Sequence, residues 1–230
     1  MRKRDDMKTV VEKDKTNTRL SSKERIENII TELAKCYDGE KGSLDFHTPF
    51  ELLVAVMLSA QCTDARVNIV TKDLFQVANT PEQFANMELK DIEKLISSIS
   101  FYKNKAKHIK EASIQILEKY DGKVPSEMEE LITLAGVGRK TANVVMLEAF
   151  DNCQGIAVDT HALRLSNRLG FSKESDPSKV EQDLLKKIDQ KYWRLMNHLL
   201  VYHGREVCSA QKPKCENCTV YQYCKSKGKF

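Results

Sequence analysis

The sequence predicts an all-α protein, and three observations lead to that fold class. Helix-capping signals recur along the chain, and apolar residues behind them return at spacings of three and four. β-Strand patterns are almost absent, since only the segment 155–158 (Gly-Ile-Ala-Val) resembles a strand. Four such residues are too short to build a sheet. We therefore expect roughly ten helices, separated by short turns.

Four capping boxes mark the starts of predicted helices. Each pairs Ser or Thr with Glu or Gln three residues later, so that the two side chains satisfy free backbone N–H groups. Proline also follows Thr48, Thr80 and Asp176, at the first helical position, where its missing N–H has no cost. The pairs begin at Ser21, Thr48, Thr80 and Ser126 and end at Glu24, Glu51, Gln83 and Glu129.

Length and composition limit the class of protein. The chain has 230 residues, 41% hydrophobic and 30% charged, which is enough for one core or two small ones. No apolar run approaches the ~20 residues of a membrane span, and the start lacks a secretory signal. We expect a cytoplasmic protein with no membrane partner. Residues 1–20 are expected to form a disordered basic tail, which either attracts phosphate or only solubilises the chain.

Four of the seven cysteines lie close together near the C-terminus, at Cys208, Cys215, Cys218 and Cys224. In a reducing compartment, such a group is more often a metal site than a set of disulfides. Zinc modules usually combine two Cys-x2-Cys pairs, whereas only one such pair is present here. The unequal spacing therefore favours an iron–sulfur cluster, with zinc as the alternative.

A glycine turn at residues 134–142 joins two predicted helices. Gly136 and Gly138 allow a sharp turn that exposes N–H groups at a helix N-terminus, where a phosphate can bind. An ordinary helix–turn–helix corner is the alternative. Lys140 falls in the first turn of the second helix, beside the positive end of its dipole, which favours the neutral, nucleophilic amine. A lysine that contacts phosphate or water is the alternative there.

Asp159 lies in the segment 157–161 (Ala-Val-Asp-Thr-His), directly before another predicted helix. An aspartate at this position caps the helix by accepting hydrogen bonds from free N–H groups. An ionised carboxylate held in this way can stabilise positive charge that develops in a transition state. The alternative is a purely structural cap.

These motifs, in this order, resemble the endonuclease III family of helix-hairpin-helix DNA glycosylases over residues 22–224. The cysteines are similar to that family's [4Fe–4S] loop, Lys140 to its catalytic lysine and Asp159 to its catalytic aspartate. The segment 58–64 is similar to one whose glutamine, here Gln61, fills the space left by an extruded base. Phe101 stands near the position of the family's leucine wedge, with a core aromatic residue as the alternative.

The resemblance implies a two-domain architecture with DNA lying across the cleft between the domains. A six-helix barrel domain would span residues 42–151, and a cluster domain would combine residues 21–41 with 152–230. Lys140 and Asp159 would face each other across the cleft. Besides Gln61 and Phe101, the implied DNA contacts are Gly136, Val137, Gly138, Arg139, Thr141, His161, Lys212 and Lys214.

The implied activity is that of a bifunctional DNA N-glycosylase in base excision repair. It would act as a monomer on damaged double-stranded DNA, remove oxidised pyrimidines and cleave the abasic site by β-elimination through a lysine Schiff base. Adenine glycosylase relatives typically lack the lysine, and mismatch thymine or uracil glycosylases are disfavoured by it. A non-catalytic DNA-binding module with a zinc site would leave Lys140 and Asp159 without a shared role.

Overall fold

A computed structural model describes residues 20–37 and 42–229, and every regular element in these ranges is helical. The all-α class is thereby confirmed. The predicted tail lies outside the described residues, apart from Leu20. No helix in the described ranges combines the length and the apolar character that crossing a membrane requires. The α-helices are α1 (Ser22–Tyr37), α2 (Pro49–Ser59), α3 (Asp64–Val77), α4 (Pro81–Asn86), α5 (Leu89–Leu95), α6 (Tyr102–Tyr120), α7 (Met128–Leu131), α8 (Arg139–Phe150), α9 (Thr160–Leu169), α10 (Pro177–Lys187) and α11 (Trp193–Glu206).

Three single-turn 3-10 helices complete the described elements, at Gln190–Tyr192, Cys215–Asn217 and Tyr221–Tyr223. The strand-like segment 155–158 is a buried connection rather than a strand. Its backbone pairs with a side chain instead of a neighbouring strand, because Ala157 N–H donates to Asn197 Oδ1 at 2.7 Å. A short apolar run thus fills the interior without forming a sheet.

Most of the predicted helix starts are confirmed. Thr48, Thr80 and Asp176 each accept a hydrogen bond from a first-turn N–H, and Ser21 forms a reciprocal box with Glu24. The prediction at Ser126 was wrong. The N-cap of α7 is Glu127, which makes no side-chain cap bond because its carboxylate accepts from Gln154 Nε2 at 3.0 Å instead.

The described residues form two apolar cores. The first surrounds α2, in which every residue from Phe50 to Leu58 is buried, and draws on α3 to α8. The second joins α1 to α9, α10 and α11. Each fully buried leucine or isoleucine contributes about 1.5–3 kcal/mol, so both cores are strongly stabilised. They support our proposal of two domains, residues 42–151 and residues 21–41 with 152–230.

The first helix packs in the second core, beside elements that come last in the sequence. Ile29 and Leu33 of α1 are fully buried there, together with Leu200 of α11. Arg25 Nη1 donates to the carbonyl oxygens of Leu169 at 2.8 Å and of Tyr223 at 2.9 Å. One guanidinium of α1 therefore holds the end of α9 and the C-terminal cysteine loop together.

Candidate active site and DNA-binding surface

Lys140 and Asp159 line the same cavity, which has a volume of about 150 Å³. Lys140 is the second residue of α8, in the first core, and Asp159 is the N-cap of α9, in the second. The two residues that the sequence singled out therefore come together from different cores. Apolar side chains of α2, α8 and α11 form much of the wall, namely Leu52, Val56, Val144, Leu147 and Val201.

The carboxylate of Asp159 is held by the helix that it caps. Its Oδ1 atom accepts from the backbone N–H groups of His161 and Ala162, both at 2.8 Å. The predicted capping role is confirmed. Because both bonds go to one oxygen, the carboxylate is fixed in orientation and Oδ2 takes no part in the cap.

The N-terminus of α8 has no side-chain cap, because its N-cap residue is Gly138. First-turn N–H groups of a helix attract anions when a side chain does not occupy them. Lys140 is exposed and Arg139 is 48% exposed, so two basic side chains lie beside these groups. Arg139 also donates from Nε to Glu181 Oε2 at 2.6 Å, which ties α8 to α10.

The two hairpin glycines adopt different conformations. Gly136 has φ +73°, in the left-handed region, and a Cβ atom there would lie 2.8 Å from Cβ of His108. Gly138 is extended, with φ −94°, and a Cβ atom there would meet nothing within 4 Å. Val137 between them is buried, and Thr141 beyond them is half-buried. Gly136 is required by the turn, whereas Gly138 leaves the backbone open on its outer side.

Gln61 and Phe101 line a second cavity of about 210 Å³, together with Gly136. Both residues have left-handed backbones, with φ 55° at Gln61 and 58° at Phe101. Non-glycine residues rarely adopt this conformation, and such strain clusters at functional sites. Phe101 is 63% exposed, which argues against the alternative of a core aromatic residue. The structure thus places both predicted insertion residues beside the hairpin.

Lys105 holds the loop in front of Gln61, and no sequence motif indicated it. Its buried ammonium group donates to the carbonyl oxygens of Leu58 at 2.8 Å and Ala60 at 2.6 Å. Burial lowers the pKa of Lys105, and the neighbouring thiol of Cys62 partly opposes this shift. Lys105 is one turn after Phe101, the N-cap of α6. It therefore links the start of α6 to the loop that carries Gln61, and we call these two segments the insertion loops.

The four C-terminal cysteines line one small cavity, and none of them forms a disulfide. They are spread around it, since no three ligating side chains among residues 20–37 and 42–229 are grouped to hold a single metal ion. Hydrogen-bond donors point at the sulfur atoms: Arg168 Nη1 at 3.3 Å from Cys208 Sγ, and Ser226 N–H at 3.4 Å from Cys224 Sγ. Donors of this kind stabilise thiolate ligands, so these residues fit an iron–sulfur cluster.

The remaining predicted DNA contacts lie on the second core. His161 is half-buried, accepts a hydrogen bond from Arg164 Nη2 at 3.1 Å through Nδ1, and packs against Gly204. Lys212 and Lys214 are exposed in the loop between Cys208 and Cys215. Neither lysine lines the cavity of Lys140 and Asp159.

Comparison with known proteins places these features in a family. Residues 54–190 match the model of the HhH-GPD superfamily base excision DNA repair proteins. Endonuclease III of Synechocystis sp. is 50% identical over 206 residues, which are 90% of this chain and 94% of that protein. Endonuclease III of Escherichia coli is 40% identical over 201 residues, which are 87% of this chain and 95% of that protein.

The chain belongs to the HhH-GPD superfamily, among the endonuclease III proteins. It is similar, with a TM-score of 0.86 and 42% identity, to a trapped endonuclease III–DNA covalent intermediate, over 92% of this chain and 99% of that one. A thermostable thymine-DNA glycosylase has a TM-score of 0.80 at 21% identity, which shows a shared fold alone. The family predicted from the motifs is confirmed, and this HhH-GPD member is a glycosylase/lyase of base excision DNA repair.

Two side-chain pairs join the two cores of this HhH-GPD protein around the cavity. The sequence did not indicate either of them. Arg205 Nη2 of α11 donates to Asp64 Oδ2 of α3 at 3.0 Å, and His198 Nε2 of α11 lies 3.2 Å from Glu148 Oε1 of α8. All four residues line the cavity of Lys140 and Asp159. The two residues of each pair lie 50 or more positions apart in the sequence, so no local pattern could have revealed the pairs.

Proposed function

We propose that this enzyme removes oxidised pyrimidines from damaged double-stranded DNA and then cleaves the resulting abasic site by β-elimination. The observation that carries the proposal is the shared cavity of Lys140 and Asp159. It is supported by the trapped covalent intermediate of the similar endonuclease III. We propose that the enzyme acts as a monomer and, in a bacterial cell, is associated with the nucleoid.

In this proposal Lys140 is the nucleophile. The damaged base leaves the stack, and its sugar enters the mouth of the cavity, since the target atom is not accessible inside a duplex. The Nζ amine attacks C1′, the glycosidic bond breaks, and the base departs with the bonding electrons. The base takes up the proton that the attacking nitrogen loses. Opening of the sugar ring gives a Schiff base, from which loss of a C2′ proton expels the 3′ phosphate.

Asp159 stabilises the positive charge that develops on the sugar. Its Oδ1 atom is engaged with two backbone N–H groups, so Oδ2 is the oxygen that we assign to this charge. A carboxylate held in advance does not have to reorganise as the charge forms.

We propose that the hairpin and the two insertion loops hold the distorted DNA. Gly136, Val137, Gly138, Arg139 and Thr141 bind the backbone, because they form the turn that exposes the N–H groups of α8. Gln61 and Phe101 occupy the space that the extruded base leaves. Further phosphate contacts are assigned to His161, Lys212 and Lys214.

We also propose that Cys208, Cys215, Cys218 and Cys224 hold a [4Fe–4S] cluster. Four thiolates complete the coordination of such a cluster, which would supply a structural link rather than chemistry on the sugar. The cluster would fix the loop that carries Lys212 and Lys214. Iron in the purified protein and a brown colour would support this assignment, whereas colourless protein that contains zinc would contradict it.

The Schiff base is tested by borohydride reduction on a duplex that contains an oxidised pyrimidine or an abasic site. We expect a covalent protein–DNA adduct with the wild-type protein and none with Lys140→Gln, which keeps a polar side chain but is not nucleophilic. Lys140→Gln is expected to keep its DNA binding, measured by gel shift at the same salt concentration.

The other outcomes are equally informative. An adduct from both proteins would assign the amine to another residue. No adduct from either protein, with DNA still bound, would contradict the lyase mechanism and leave a glycosylase that uses water as the nucleophile.

A further inference from the structure

The cavity of Lys140 and Asp159 is also lined by Glu148, a carboxylate that the proposed chemistry does not use. Glu148 follows Lys140 by eight residues on α8, which places it about 12 Å further along the helix axis. It lines the same cavity, and His198 faces it from α11. His198 Nε2 donates to Glu148 Oε1 at 3.2 Å.

Three neighbouring groups stabilise the ionised form of the Glu148 carboxylate. The hydrogen bond from His198 is the largest effect on the pKa of Glu148, which lies below its ordinary value in spite of partial burial. The charge of Arg194 and the backbone N–H of Gly42 act in the same direction. Since an ionised carboxylate only accepts hydrogen bonds, the cavity presents a fixed acceptor at this point.

The environment of Glu148 makes this acceptor selective. Its side chain is 19% exposed, and that of His198 is 20% exposed. Apolar residues surround the pair in the cavity wall, among them Leu147 and Val201. In such surroundings a donor that meets the carboxylate gains more than it would in water, and a group without a donor gains no hydrogen bond there.

We infer that Glu148, oriented by His198, is a specificity-determining residue that accepts a hydrogen bond from the flipped base. The inference rests on the proposed function, which places C1′ beside Lys140. A base attached to C1′ then extends into the cavity towards Glu148. The class of base that fits is an oxidised pyrimidine with an imide, whose N3–H donates to the carboxylate.

The imide separates two kinds of oxidised pyrimidine. Rings with a carbonyl group at C4 carry a proton at N3, whereas rings that keep the C4 amino group of cytosine present a lone pair there. A lone pair gains no hydrogen bond from the carboxylate and is repelled by its charge, so rings of the second kind are bound less well. Glu148 therefore favours lesions that carry the imide.

The test compares base removal with strand cleavage at a site that has no base. Single-turnover rates are measured for the full chain on a duplex with thymine glycol and on the same duplex with an abasic site. We expect Glu148→Met to slow excision of thymine glycol about 10-fold or more relative to cleavage of the abasic site. Glu148→Gln restores part of the loss, because its amide oxygen still accepts.

Asp151→Asn is the matched control. Asp151 pairs with Arg194 and so also joins α8 to α11, but it does not line the cavity. This variant is expected to keep the wild-type ratio of the two rates. A second arm uses thymine glycol methylated at N3, which slows the wild-type enzyme but does not further slow Glu148→Met.

Three outcomes would overturn the inference. In the first, Glu148→Met slows both reactions equally, which would show a structural role. In the second, Glu148→Met slows neither reaction, or methylation at N3 slows Glu148→Met as much as it slows the wild-type enzyme. In the third, the wild-type protein cleaves neither substrate, and then the proposed function itself fails, as the absence of a borohydride adduct would show separately.

Discussion

At the scale of single residues, Gly136 and Gly138 differ in what the absence of a side chain allows. Gly136 combines a left-handed backbone with close contact to His108. Gly138 has an ordinary extended backbone and open space beside it. The first glycine therefore serves the fold, and the second serves the approach of a ligand to the backbone.

Alanine substitutions at the two glycines separate these roles. We expect Gly136→Ala to lower the free energy of unfolding by about 1–3 kcal/mol, because its φ is unfavourable for alanine and His108 has to move. Gly138→Ala is expected to change it by no more than about 0.5 kcal/mol. Equilibrium urea denaturation measures both values. Equal losses of unfolding free energy in the two variants would contradict the different roles that we assign to the two glycines.

At the scale of helices, the cap of α9 gives one carboxylate a structural role beside the catalytic role that we propose for it. Asp159 both caps the helix and faces the cavity, so a substitution can affect either property. Asparagine caps a helix about as well as aspartate, whereas alanine does not. The two properties can therefore be separated by choosing the substituent.

We expect Asp159→Asn to keep the free energy of unfolding within about 0.5 kcal/mol of the wild type, and Asp159→Ala to lose about 1 kcal/mol. Both variants are expected to lose strand cleavage, since neither carries the charge that stabilises the sugar cation. Urea denaturation and single-turnover cleavage of abasic DNA measure the two effects. Full cleavage by Asp159→Asn would contradict the role that we assign to the carboxylate.

The helices also show how far local sequence determines this fold. Caps such as Thr48 and Asp159 could be predicted because donor and acceptor lie within three residues of each other. Ser126 was misassigned because the distant Gln154 holds Glu127. The link from Lys105 to the Gln61 loop could not be predicted either, since it joins positions more than 40 residues apart.

At the scale of the whole molecule, the cavity of Lys140 and Asp159 lies where the two cores meet, and polar side-chain pairs join the cores there. Glu148 and His198 form one of these pairs, on α8 and α11. The hydrogen bond from His198 holds the pKa of Glu148 below its ordinary value of 4.5. A carboxyl group whose pKa is lowered by folding stabilises the folded state at pH values above its ordinary pKa.

This stabilisation decreases as the pH falls below 4.5, and it is lost once the pH has passed the lowered pKa of Glu148. We expect the wild-type protein to be more stable than Glu148→Gln at neutral pH, and the difference to shrink as Glu148 is protonated. His198 and Arg194 are the side chains that lower the pKa of this carboxylate. Urea denaturation at a series of pH values tests this prediction. A difference in unfolding free energy between the two proteins that stays constant with pH would contradict a lowered pKa of Glu148 in the folded state.

The position of α1 has a consequence for how the chain folds as it leaves the ribosome. Ile29 and Leu33 are translated early, but Leu199 and Leu200, which complete their core, follow about 170 positions later. At typical rates of protein synthesis this gap lasts on the order of ten seconds. The core around α2 can assemble during that interval, while the apolar face of α1 still lacks its partners. Nascent chains of this enzyme are therefore expected to expose an unpaired amphipathic helix until the last third has emerged.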